Sequence, residues 1–187
     1  MRKVIAAINM TLDGYCDHTA VDADEEIHQH YGELLLDAGV VLYGRITYLL
    51  MEFWPTLVKN PSGDRSMDEF AVIMDNTPKV VFSRTLKSVE WESARLAERD
   101  LKEEVLALRQ EAGNDIFVGS PGLIVALTQL DLIDEYQLCI HPVIAGKGLP
   151  LFKNITDRVD LKLFNTKTFA AGAVVLYYKR VDIKTGS

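Results

Sequence analysis

Three short stretches of the chain carry residue types suited to holding an anion: Gly44-Arg45-Ile46-Thr47, Ser83-Arg84-Thr85 and Gly119-Ser120-Pro121-Gly122. Each follows an apolar run with the composition of a buried strand, namely Val40–Tyr43, Lys79–Phe82 and Ile116–Val118. A glycine at such a junction lets a ligand approach the backbone. A helix beginning there offers N–H groups that no preceding turn has used, and an arginine adds a guanidinium able to grip phosphate. Three anion-competent strand ends suit a nucleotide whose phosphate groups are separated.

Other chemistries fit these residues less well. A dinucleotide glycine motif belongs after the first strand, but that strand runs into Thr11-Leu12-Asp13-Gly14. Gly146-Lys147-Gly148 lacks the preceding glycine and the following Ser or Thr of a phosphate-binding Walker loop. His18, His28, His30 and His141 are scattered, and no metal site is expected. Cys139 falls mid-strand as a small core residue, and Gly-Ser-Pro-Gly around Ser120 lacks the spacing of a nucleophile elbow.

The elements that must position these endings follow from pattern. Val4–Ile8 is apolar on both faces, as a central strand covered on two sides should be. Asp22–Ala38 reads as a helix with an acidic first turn, an apolar stripe through Ile27, Tyr31, Leu34, Leu35 and Ala38, and Gly39 as its C-cap. A second helix runs from about Ile46 to Phe53 and ends at Pro55. Asn60–Ser66 is a loop, and Met67–Met74 forms a short helix. Asp100 to Gln110 and Leu123–Leu130 are further helices. Glu135–Val143, Leu161–Phe169 and Ala173–Arg180 are strands with no helix between them. The order predicts an α/β protein with three αβα layers, a mostly parallel sheet and a C-terminal antiparallel hairpin. Residues 1–181 are expected to form one domain, and 182–187 a frayed tail.

Composition narrows the function classes. The 187 residues are 48% hydrophobic and 25% charged, which is globular. A formal charge of −7 argues against nucleic acid as a partner. Two distant cysteines form no disulfide framework and fit a reducing cytoplasm. No run is long enough for a membrane span, and Val4–Ile8 is too short for a signal-peptide core.

The endings together resemble the dihydrofolate reductase-like superfamily, in the branch of the riboflavin-pathway deaminase–reductase and its stand-alone relatives. The resemblance is carried in order by Val4-Ile5-Ala6-Ala7 with Thr11-Leu12-Asp13-Gly14-Tyr15, then Leu42-Tyr43-Gly44-Arg45-Ile46-Thr47-Tyr48. Val81-Phe82-Ser83-Arg84-Thr85, Ile116-Phe117-Val118-Gly119-Ser120-Pro121-Gly122 and Pro142-Val143-Ile144-Ala145-Gly146-Lys147-Gly148 complete it.

The resemblance implies an NADPH-dependent oxidoreductase passing hydride to a small heterocyclic or imine/carbonyl substrate, similar to 5-amino-6-(5-phosphoribosylamino)uracil reductase. It implies that the backbone at Ala7 holds the nicotinamide carboxamide. Gly44, Arg45, Ile46 and Thr47 would meet the pyrophosphate and adenosine ribose. Ser83, Arg84 and Thr85 would surround the 2′-phosphate, while Gly119, Ser120, Pro121, Gly122, Leu123 and Ile124 would wrap the pyrophosphate. On the substrate side the candidates are Asp13 as an orienting or proton-relaying group, with Tyr15, Tyr48, Phe53 and Trp54 as contacts. The riboflavin-pathway enzyme is expected to carry an acid just before its glycine-rich loop, whereas this chain has Phe117-Val118-Gly119 there. Two alternatives stand beside this reading: an NADPH-binding module or sensor with little catalysis, and a folate-type pteridine reductase. A homodimer is expected from the long apolar run Val174-Val175-Leu176-Tyr177-Tyr178.

Overall fold

The computed structural model describes residues 1–181; the expectation for the tail lies outside them. Strands β1 (Val4–Thr11), β2 (Val40–Gly44), β3 (Lys79–Phe82), β4 (Ala94–Leu96), β5 (Ile116–Val118), β6 (Glu135–His141), β7 (Leu161–Thr168) and β8 (Val174–Arg180) form one sheet. Its order is β4-β3-β2-β5-β1-β6-β8-β7. Pairing is parallel from β4 through to β6. Strands β6 and β8, and β8 and β7, pair antiparallel. The predicted α/β architecture with its C-terminal hairpin is therefore present.

The central strands show no alternation in sequence because both faces are covered. Val4, Ala6 and Ile8 join a core with Val105 and Leu108 of α5 (Leu101–Gln110) and Ile124 and Leu127 of α6 (Pro121–Gln129). Ile5 and Ala7 face the opposite way, into a core with Leu35 of α1 (Glu25–Leu36), Tyr48 of α2 (Arg45–Met51), and Phe70 and Met74 of α4 (Arg65–Asn76). These two cores are the interfaces of an αβα sandwich. No helix of the described residues is long and apolar enough to cross a membrane.

Several boundaries differ from the expected ones. Helix α1 starts at Glu25 because the Asp24 carboxylate accepts from the Ile27 amide at 3.0 Å and caps it. Gly39 is not its C-cap, since Asp37 takes that position. A β-carbon on Gly39 would run into the Arg2 guanidinium and the Asn114 carbonyl, so packing demands the glycine. Pro55 does not end the second helix; α2 stops at Met51, and Pro55 sits in the first turn of α3 (Trp54–Lys59), where a missing N–H costs nothing. Helix α4 begins inside the expected loop, capped by Asp64, which accepts from the Met67 amide. The apolar run of β8 is not an open edge: β6 and β7 flank it, and β7 forms the rim.

Candidate active site

The sheet order sets the carboxyl ends of β3, β2, β5 and β1 side by side. Gly44 at the end of β2 pairs with Phe82 at the end of β3, so Arg45 and Arg84 issue from adjacent strand ends. Gly44 also meets the end of β5, where its amide donates to the Ser120 Oγ at 2.9 Å. That bond locks together the two turns that open α2 and α6. Neither helix start is capped by a side chain. In α6 the first intrahelical bond runs from the Ile124 amide to the Ser120 carbonyl, which leaves the Gly122 and Leu123 amides ahead of the ladder.

The arginines at this edge stand apart from the other arginines. Arg2, Arg65, Arg95, Arg99, Arg109, Arg158 and Arg180 each hold a carboxylate. Arg45 and Arg84 are exposed and hold none among the described residues. Beside them, Ser83 Oγ accepts from the Thr85 and Leu86 amides at 3.1 and 3.0 Å, which shapes the turn that presents Arg84.

A cavity of about 520 Å³ opens next to these turns. Ala7, Ile8 and Asn9 of β1, Val41 and Tyr43 of β2, and Phe117 and Val118 of β5 form its floor. Ile27, His28, Tyr31, Leu34 and Leu35 of α1 line it, as do Ile46, Thr47, Leu50 and Met51 of α2, with Trp54, Phe70 and Met74 beyond. Cys16, Asp17, His18 and Leu149 reach it from two loops. Those loops are laced together: Leu12 donates to the Val143 carbonyl, Cys16 to that of Leu149, and the Leu149 amide to Asp17 Oδ2.

Of the residues singled out from sequence, Ala7, Ile46, Thr47, Trp54, Gly119 and Pro121 line the cavity. Gly44, Arg45, Gly122 and Leu123 sit at the two helix starts beside it, and Ser83, Arg84 and Thr85 follow β3. Four candidates have other tasks. The Ile124 side chain is fully buried in the core, and its amide donates to the Ser120 carbonyl. Tyr48 is buried against Trp91, and its hydroxyl accepts from the Glu90 amide, away from the cavity. Ser120 is turned onto Gly44. Asp13 accepts from Thr11 Oγ1 at 2.6 Å and from the Ala145 and Gly146 amides at 3.1 and 2.7 Å. These bonds, the Thr11 one foremost, hold its carboxyl below the usual range, and they tie the loop after β1 to the segment at Ala145 and Gly146. Phe53 is exposed and packs edge-on to Trp54, and Tyr15 makes a bridge to Pro150.

Sequence reasoning missed His28 as a wall of this site. Its ring stacks on Phe70 at 5.5 Å and meets the edge of Trp54 at 5.9 Å. Its Nδ1 lies 3.3 Å from Ser66 Oγ. Burial lowers its pKa, with the Asp64 and Asp24 charges opposing. The available signal was its place one residue from Ile27 and three from Tyr31 on α1, yet the partners Trp54, Ser66 and Phe70 come from later elements. Asn9 was also missed; its Oδ1 accepts from His141 Nε2 at 2.9 Å.

Comparison with known proteins gives the family and the fold. The family model of the RibD C-terminal domain matches residues 2–175. The uncharacterized protein YyaP of Bacillus subtilis (strain 168) is 31% identical over 181 residues, covering 95% of this chain and 94% of YyaP. Among solved structures, a Shewanella sp. PV-4 protein whose name assigns it to riboflavin biosynthesis superposes with a TM-score of 0.70 at 19% identity. That match covers 97% of this chain and 99% of that one. Dihydrofolate reductase from Enterococcus faecalis, solved with NADP(H), superposes with a TM-score of 0.66 at 14% identity, covering 96% and 97%. At these identities the two structures speak for the fold.

Proposed function

The chain belongs to the RibD C-terminal domain family, and from that premise we propose that it is an NADPH-dependent oxidoreductase acting on a small heterocyclic or imine/carbonyl compound. The carrying observation is the pair Arg45 and Arg84: the two arginines that hold no carboxylate among the described residues stand at adjacent strand ends, beside two helix starts that no side chain of the described residues caps. Charge-assisted bonds from both would favour a 2′-phosphate, and so NADPH over NADH.

The residues present fit the cofactor. The uncapped amides at the start of α6, with Arg45 and the α2 amides, suit a pyrophosphate, and Ser83 and Thr85 add hydroxyls beside Arg84. The backbone of Ala7, on the cavity floor, suits the carboxamide of a nicotinamide. When bound, NADPH supplies the hydride. The chain's own part is to orient and to exclude water: the apolar floor and helical walls keep the reacting region dry, and the laced 12–17 and 143–149 segments close one side.

Titration with both cofactors tests the reading. NADPH is expected to bind at least about tenfold more tightly than NADH; Arg84→Ala should weaken NADPH by about tenfold while leaving NADH nearly unchanged, and Arg45→Ala, which also removes a pyrophosphate contact, should weaken both cofactors, NADPH by about tenfold. Absence of NADPH binding would overturn the proposal. The homodimer belongs to the same reading. Its support is the rim strand β7, where Leu163 and Phe164 are 45% and 47% exposed. Light scattering that finds a monomer at micromolar concentration contradicts it.

A further inference from the structure

The apolar lining of the cavity includes Ile27, Tyr31, Leu50, Met51, Trp54 and Phe70, a chamber around His28. No lysine or arginine lines any part of the cavity among the described residues. The acidic residue on its wall is Asp17, and Asp24 and Asp64 are near enough to His28 to act on its charge. A phosphate dianion placed here would lose its water and gain no cation, and the nearby carboxylates would repel it.

His28 supplies the polar feature of this chamber, and its hydrogen-bonding sense can be worked out. Ser66 Oγ donates to the Asp64 carboxylate at 3.0 Å, so its single hydrogen is used. Toward His28 the same oxygen therefore accepts, and the imidazole hydrogen sits on Nδ1. In the neutral ring Nε2 is then a lone-pair acceptor, and no protein group among the described residues bonds to it. Stacking on Phe70 and an edge contact with Trp54 hold the ring in place.

We propose that this chamber takes a flat, uncharged aromatic ring system that carries no phosphate, packed against the Trp54–Phe70 wall and donating an N–H or O–H to His28 Nε2. The inference rests on the reductase reading for the chemistry that follows binding. It sets this chain apart from an enzyme whose substrate carries a ribose phosphate.

The test is binding of matched compounds, followed by quenching of tryptophan fluorescence, with and without NADPH. Riboflavin against flavin mononucleotide, and 5-amino-6-ribitylaminouracil against its phosphate, are expected to favour the phosphate-free member by about tenfold or more. Lumazine is expected to bind about tenfold more tightly than its N,N′-dimethylated form, and this preference should vanish in His28→Phe. Because both lumazines are read on the same protein, the preference is independent of any change in the variant's stability. If His28→Phe does not fold, the wild-type preferences alone decide. Equal or tighter binding of the phosphorylated members overturns the proposal, and so does failure of every uncharged ring to bind. NADPH binding on the same samples separates the two readings: cofactor bound with phosphate preferred sinks only this inference, while no cofactor bound sinks the reductase.

Discussion

At Ser120 the hydroxyl serves the Gly44 backbone, and at Asp13 both carboxylate oxygens serve neighbouring groups. Small polar side chains near free amides satisfy a loop as readily as a ligand, and residue type does not distinguish the two. Arg45 and Arg84 differ because, among the described residues, every other arginine holds a carboxylate and these two hold none. His30 carries a prediction at this scale. It is 7% exposed, packed between Tyr31 and Phe169, with Lys167 Nζ 3.4 Å from Nδ1. Burial, helped by Lys167 and opposed by Glu33, pushes its pKa down to about 4 from 6.5. The unfolded chain therefore binds more protons between these values. The stabilising contribution is complete above pH 6.5 and is lost as pH falls through about 4. Urea titrations across that window should lose about 3 kcal/mol in the parent protein, and His30→Gln should flatten the slope.

At the scale of elements, strands buried on both faces and an amphipathic helix with an acidic first turn were readable, though the capping residues Asp24 and Asp64 were not. β-branched runs and acids opening an amphipathic stretch state their own preference. Strand β4, Ala94–Leu96, went unread because three residues of Ala, Arg and Leu carry no strand signature. It is held from outside: it pairs with β3, and Arg95 reaches the fully buried Glu104 of α5 at 2.6 Å, with Arg99 on the other oxygen at 3.3 Å. Glu104→Gln should cost about 2 kcal/mol, measured by chemical denaturation, with early loss of amide protection in β3 and β4. An unchanged midpoint would show that pairing with β3 suffices. Helix α3 escaped for a different reason. Proline signals both a helix end and a helix beginning, and only the stop of α2 at Met51 decides between them.

For the whole molecule, cofactor binding should appear as stability. At a concentration about a hundredfold above its Kd, NADPH should add about 2.7 kcal/mol and raise the Tm by about 5–10 °C, with a smaller shift for NADH. Equal shifts for the two cofactors would contradict the role given to the arginine pair. The strand ends that carry Gly44, Arg45, Ser83, Arg84 and Gly119 were legible in outline because glycine, arginine and hydroxyl residues at the ends of buried strands are local signals, read without knowing which strands are neighbours. The apolar chamber was not legible. Its walls come from β1, β2, β5, α1, α2, α3 and α4, and the order β3-β2-β5-β1 is set by which apolar faces pack together, a property of the folded whole. So the sequence by itself determined the α/β class, the strand ends and the residue types at the phosphate-competent turns. Tertiary structure alone decided that Tyr48 and Ile124 are core, that Asp13 and Ser120 brace loops, and that His28 faces the cavity with its Nδ1 committed. The physical reason is one of range: turns and caps are formed within a few residues, whereas burial and hydrogen-bond pairing depend on partners brought together only by the sheet.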